Sequence, residues 1–129
     1  MNRKIVITAG LFGLLAVIAG AFGAHGLKAR LSASDIDIWH TAVQYQFYHV
    51  FALLFLGLYT GGKQGLVNLS YWLFTVGIVF FSGSLYIVAA DELLGWRVAH
   101  MLWPFAPLGG VCFIGGWAAL VLAAALKNK

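Results

Sequence analysis

From Ile5 to Ala24 the chain runs through Ile, Val, Leu, Ala, Phe and Gly with Thr8 as its one polar side chain, and no formal charge lies between Lys4 and Lys28. Twenty or so such residues rise about 30 Å as a helix, the thickness of a bilayer's hydrocarbon core. A first span over residues 5–25 follows. Arg3 and Lys4 ahead of the run, with Ala19-Gly20-Ala21 behind it, resemble a secretory signal, but the run exceeds the roughly 7–15 residues of a signal's apolar region, so a retained span is expected. Ser34 ahead of Asp35 and Asp37 reads as the cap of a second helix, with acidic groups at the positive end of its dipole. That helix continues to Thr60, and its length of about 39 Å should leave Trp39 and His40 in the interface. Beyond the turn Gly61 to Gly65 comes a third span over 69–90, closed by Asp91 and Glu92. Pro104 and Pro107 favour starting the fourth near Phe105 and ending it at Leu126, because proline suits a first helical turn and kinks an interior. Residues 96–103 are then either an interfacial segment or the upper arm of a kinked helix.

Composition gives the same picture. Hydrophobic residues make up 62% of the 129, charged residues 9%, and the mean hydropathy is +0.90. An ordinary water-soluble domain, with about a quarter of its residues charged, is excluded. The length has room for four spans and hardly five, hence one all-α membrane domain. The net charge of +4 does not mark a nucleic-acid binder, since the basic residues flank the apolar runs. Four spans put both termini on one side, where Arg3, Lys4, Lys63, Lys127 and Lys129 face Lys28, Arg30 and Arg97 on the other. The positive-inside rule makes the terminal side cytoplasmic. Trp39, Trp96 and Trp103 then form an outer aromatic belt, and Tyr59, Tyr71 and Trp72 an inner one. Cys112, the single cysteine, has no disulfide partner within the chain and reads as a packing residue.

Small residues four apart (Ala9/Gly13, Ala16/Gly20/Ala24, Ala19/Gly23) predict close helix packing in span one, and Gly109, Gly110, Gly115 and Gly116 predict the same in span four. Depth can then be assigned to the polar groups. His25, His40 and His100 fall at the outer boundary, His49 near the midplane, and Ser82, Ser84 and Tyr86 in the outer half of span three. The inner half, including Phe51 to Leu58 and Val111 to Leu126, is almost dry. On a helical wheel Asp37, His40, Thr41, Gln44 and Tyr48 share one sector, expected to face protein or water because unpaired polar groups are costly in hydrocarbon. His25, His40, Gln44, Tyr48, His49, Ser82, Ser84, Tyr86 and His100 are therefore the candidate ligand-binding residues. Gln44 and Gln46 read more readily as hydrogen-bond pins between helices.

His40 and His49 point to opposite sides of their helix and cannot share a metal; a mixed site of His25, His40 and His100 is geometrically open, but no close-spaced ligand pair supports it. No metal or other cofactor is expected. The carboxylates Asp35, Asp37, Asp91 and Glu92 all lie at helix ends or outer loops, so no acidic relay threads the membrane. Asp91, Glu92, Arg97 and His100 could act on a lipid headgroup, but their spacing matches no catalytic pattern, and an enzyme is not expected.

Four strings occur together: Gly20-Ala-Phe-Gly-Ala-His-Gly26, Trp39-His-Thr-Ala-Val-Gln-Tyr-Gln-Phe-Tyr-His49, Phe81-Ser-Gly-Ser-Leu-Tyr86, and Pro107-Leu-Gly-Gly followed by Gly116-Trp117. In combination they resemble the small four-span family catalogued as domain of unknown function 423. The resemblance covers nearly the whole chain and implies a four-helix integral protein of the bacterial plasma membrane. It brings no activity with it.

The expected architecture is a four-helix bundle with cytoplasmic termini, an outward-facing polar cluster and a closed apolar inner half. The expected function is non-enzymatic binding of a lipid, an amphiphile or a membrane-protein partner, with homo-oligomerisation as one form of partnership. The alternative is a transporter of a small solute that needs an inward-open state or an oligomeric pore.

Overall fold

The computed structural model describes residues 1–126; Lys127 and Lys129, counted among the basic flanks, lie outside the described residues. Among the described residues are four long helices, α1 (Arg3–Ala24), α2 (Ala33–Leu58), α3 (Gln64–Leu94) and α4 (Phe105–Ala125), each long and apolar enough to cross a membrane. No strand occurs among the described residues. Asn2 caps α1, its Oδ1 accepting from the Ile5 N–H. The cap of α2 is Ser32 and not Ser34: Ser32 Oγ accepts from the Asp35 N–H at 3.1 Å, so Ser34 and Asp35 both fall in the first turn.

The third helix is longer than its apolar run. It has 31 residues, about 46 Å, and carries Asp91 and Glu92 as helical residues beyond the thickness of a hydrocarbon core. Gly95 ends it in the left-handed conformation at φ 68°. Midway, Ile78–Ser82 form a π-helical turn in which the Gly83 N–H reaches back to the Ile78 carbonyl. Residues 96–103 do not form the arm of a kinked α4. They are a connection with one short 3₁₀ turn, Ala99–Met101, and Asp91 holds it by accepting from the Val98 N–H (2.9 Å) and the Ala99 N–H (3.2 Å). Pro104 then precedes α4, and Pro107 stands in its first turn, where neither removes a needed N–H.

The helices pack in chain order, α1 on α2, α2 on α3 and α3 on α4. At the end bearing the termini they are tied together: the Asn2 N–H donates to the Gly57 carbonyl, and the Lys63 N–H donates to the Ala123 carbonyl. Gly62, at φ 72°, lies against that carbonyl, where no side chain fits. The buried cluster extends from this end to the middle of the bundle and includes Ile5, Ala9, Leu53, Leu56, Phe74, Phe113 and Ala123. The glycines of α4 set its distance from α3. A Cβ on Gly109 would stand 2.7 Å from Phe81 Cβ, and one on Gly116 would stand 2.6 Å from the Phe74 ring. Such contact is what holds helices together where lipid is as apolar as leucine.

Candidate functional site

Helix α2 has the central role, and the face it turns inward differs from the expected one. Gln46 (3% exposed) and His49 (4% exposed) are buried, whereas Asp37, His40, Gln44 and Tyr48 of the polar sector are exposed, Tyr48 at 55%. The sector is real but faces outward. Alanine, leucine and glycine define the inward side instead: Ala42, Ala52, Leu53, Leu56 and Gly57.

Gln46 joins three helices. Its Nε2 donates to the Phe12 carbonyl of α1 at 2.7 Å, and its Oε1 accepts from the Tyr86 hydroxyl of α3 at 2.7 Å. One turn or two above, the Trp39 indole N–H donates to the Ala19 carbonyl at 2.8 Å, and its ring meets Tyr86 edge-on with centroids 4.7 Å apart. Trp39 therefore belongs to the bundle interior more than to an aromatic belt. It seats on Gly23, where a Cβ would come within 2.7 Å of the indole. Ser82 donates to the Ala42 carbonyl at 2.8 Å, and Ser84 donates to the Phe81 carbonyl within the π-helical region.

Trp39, Gln46 and Tyr86 form the floor of a groove of about 490 Å³ between α1 and α3. Its walls are Phe12, Leu15, Ile18 and Phe22 on one side and Ile78, Val79 and Gly83 on the other. Below it side chains of α1 and α3 touch directly. Thr8 gives its hydroxyl proton to the Lys4 carbonyl, so Tyr71 is the donor in the 2.9 Å Tyr71–Thr8 bond, and the Lys4 ammonium lies 4.4 Å from the Trp72 ring centroid. Tyr71 is thus buried and paired, not part of an inner belt. The terminal half is closed but not wholly dry, since Ser70 is also buried there and donates to the Gly116 carbonyl.

On the other side of α2, His49 stacks on Phe113 with centroids 3.6 Å apart and planes 6° apart. The Trp117 N–H donates to His49 Nε2 at 3.1 Å, and His49 Nδ1 lies 2.7 Å from the Tyr45 carbonyl. An indole N–H can only donate, so Nε2 carries the lone pair and Nδ1 the proton. Both nitrogens of this neutral ring are satisfied, and a second groove, of about 630 Å³, opens beside it between α2 and α4.

The nine candidate residues therefore do not form one cluster. Ser82 and Tyr86 join the α1–α2–α3 network, Ser84 bonds within α3, and His49 lies on the opposite side of α2. Gln44 and Tyr48 face outward, and His25, His40 and His100 are exposed toward the far end. Among the described residues no three His, Cys, Asp or Glu side chains gather as a metal site. Trp39, Gln46, Phe113 and Trp117 were not among the candidates. The Ala19/Gly23 pair was a usable signal for Trp39, because it makes a socket for a ring as readily as for a backbone.

The model of a family described as "Protein of unknown function (DUF423)" matches residues 19–110. Among curated proteins, a UPF0382 membrane protein of Staphylococcus epidermidis is 45% identical over 121 residues, covering 94% of each chain. The UPF0382 membrane protein of Staphylococcus aureus strain RF122 is 42% identical over 121 residues, again covering 94% of each chain. YwdK of Bacillus subtilis is 40% identical over 124 residues, covering 95% of this chain and 96% of its own. No solved structure matches. With four membrane-spanning helices and bacterial membrane-protein relatives along nearly its whole length, the chain is a multi-pass plasma-membrane protein and belongs to the DUF423 family.

Proposed function

We propose that the protein is a non-enzymatic binding module that takes the hydrocarbon chain of a membrane lipid or similar amphiphile into the groove between α1 and α3. The observation that carries this reading is the shape of the groove. It is lined almost wholly by apolar side chains and floored by Gln46 and Tyr86, whose polar atoms are bonded to each other. Its volume of about 490 Å³ lies within the roughly 300–1,000 Å³ of small-molecule sites. The polar groups beneath it bond to one another and to backbone, so they offer rigidity more than chemistry. The packed cluster of Leu53, Leu56 and Phe74 below supports binding over passage through the bundle.

The test is mass spectrometry of the protein released intact from lipid nanodiscs. Gly83 lines the groove and a Cβ there meets nothing within 4 Å, so Gly83→Leu can add bulk at the groove without a clash at its Cβ. The wild type should retain lipid that Gly83→Leu loses, and His40→Ala and Gln44→Ala, which lie away from the groove, should retain it. Equal retention by wild type and Gly83→Leu would remove the basis of the proposal.

A further inference from the structure

On the face of α3 that turns toward the 96–103 connection, a polar pocket stands over an apolar groove. Phe80, Ser84, Ile87 and Asp91 follow one another at three- and four-residue spacing and form one stripe along the helix. The first three, with Leu102 and Phe105, line a groove of about 320 Å³. Asp91, with Glu92, Arg97 and His100, lines a pocket of about 500 Å³ above it, at the end of the bundle away from the termini. The pocket stands at headgroup level, because Trp96 and Trp103 flank the connection and are 57% and 75% exposed, as indoles at a membrane surface are. Below it, the apolar groove shares Val79 and Gly83 with the groove between α1 and α3. The two grooves thus flank α3, one against α1 and the other against the connection and the start of α4, about 12 Å beneath Asp91.

The pocket is built to a fixed shape. Both Asp91 oxygens accept backbone N–H bonds, from Val98 and Ala99, and so hold the connection immediately after Arg97. Arg97 itself has φ 55°, a left-handed conformation that a residue with a side chain adopts only where its surroundings impose it. With Asp91 committed to the backbone, Glu92 and Arg97 are the charged groups that the pocket offers a ligand. A guanidinium takes phosphate in its planar fork, and a carboxylate accepts N–H bonds from a primary ammonium. We infer, resting on the α1–α3 groove as a lipid site, that its ligand is a two-chain phospholipid with a primary-amine headgroup, of the phosphatidylethanolamine class. Its phosphate meets Arg97, its ammonium meets Glu92, and its two chains straddle α3 at Gly83, where no side chain stands in the way. A headgroup charged only through its phosphate would face two carboxylates for one guanidinium, and a choline headgroup has no N–H to give Glu92.

The experiment places the protein in nanodiscs holding equal parts of phosphatidylethanolamine, phosphatidylglycerol and phosphatidylcholine with identical chains, and identifies by mass spectrometry the lipid retained on release. Wild type should retain phosphatidylethanolamine about threefold over either of the others, the gain expected of exposed charge pairs. Glu92→Lys should turn the preference toward phosphatidylglycerol. Arg97→Asn, which keeps a residue tolerant of the left-handed backbone, should retain less of all three. Both side chains are exposed, so both variants should melt as the wild type does. Phosphoethanolamine without chains, at millimolar concentration, should leave the bound lipid in place. Equal retention of the three lipids by the wild type overturns the inference while leaving the α1–α3 groove as a lipid site, whereas a wild type that retains no lipid removes both. A preference undiminished in Glu92→Lys, or displacement by phosphoethanolamine alone, also overturns it.

Discussion

Trp117 of α4 and His49 of α2 meet at the middle of the bundle, the indole N–H donating to Nε2 across 3.1 Å. The bond settles the imidazole's tautomer and explains how an ionisable residue is accommodated near the midplane: neutral, stacked on Phe113, with both nitrogens engaged. Nitrogen NMR of the labelled ring should place the proton on Nδ1. Trp117→Phe keeps the aromatic contact but leaves a buried acceptor without its donor, at a cost of about 1–3 kcal/mol in unfolding experiments in detergent. A proton found on Nε2, or an unchanged stability, would contradict this assignment.

Neighbouring glycines of α4 should respond oppositely. Gly109→Ala drives a methyl group against the backbone of Phe81 and should destabilise the bundle by about 1–3 kcal/mol. Gly110→Ala meets open space and should be neutral or gain up to about 1 kcal/mol from helix propensity. Thermal denaturation of the two variants in one detergent decides it, and similar losses at both positions would refute the close approach of α3 and α4.

The Trp39 socket predicts coupling between α1 and α2. Gly23→Ala should unseat the indole, and Trp39→Phe should lose the bond to the Ala19 carbonyl and leave a gap beside Gly23. Each should cost about 1–3 kcal/mol. The double variant should lose less than the sum of the two, because part of each loss is the same contact. Strict additivity in a double-mutant cycle would contradict the seating.

Orientation is testable with single cysteines in a Cys112→Ser background. Thr60→Cys should react with a membrane-impermeant maleimide only from the cytoplasm, and Ser34→Cys only from outside. Leu53→Cys, at a position with no exposed surface, should react from neither side. Labelling of Leu53→Cys from the cytoplasm would revive the transporter reading, which needs an inward-open state.

The sequence reveals the fold readily because in a bilayer every backbone group must be bonded within its own helix, so long uncharged runs have one outcome. It is less informative about the ends of helices. Asp91 and Glu92 mark where the apolar run stops, but α3 continues past them as a solvated helix until Gly95 allows a left-handed turn. The site was harder still. The wheel correctly gathers Asp37, His40, Gln44 and Tyr48 on one face, yet in a membrane polarity does not identify the interior, because lipid and protein core are equally apolar. Size does: Ala42, Ala52 and Gly57 mark the packed side, and Gln46 and His49 are buried with them. That Gln46 pairs with Tyr86 and Phe12, and not with a nearer polar group, depends on distances between helices that no spacing along the chain encodes.

The binding proposal is tested most directly by photo-crosslinking in bilayers doped with a phospholipid that carries a diazirine midway along one acyl chain, with adducts mapped by peptide mass spectrometry. Adducts should concentrate on Ile18, Ala19, Val79 and Gly83 and fall away in Gly83→Leu, while Phe51, Phe55 and Val121, which face lipid elsewhere, react only weakly. Adducts spread evenly over all lipid-facing residues, unchanged by Gly83→Leu, would show that the groove holds nothing the rest of the surface does not.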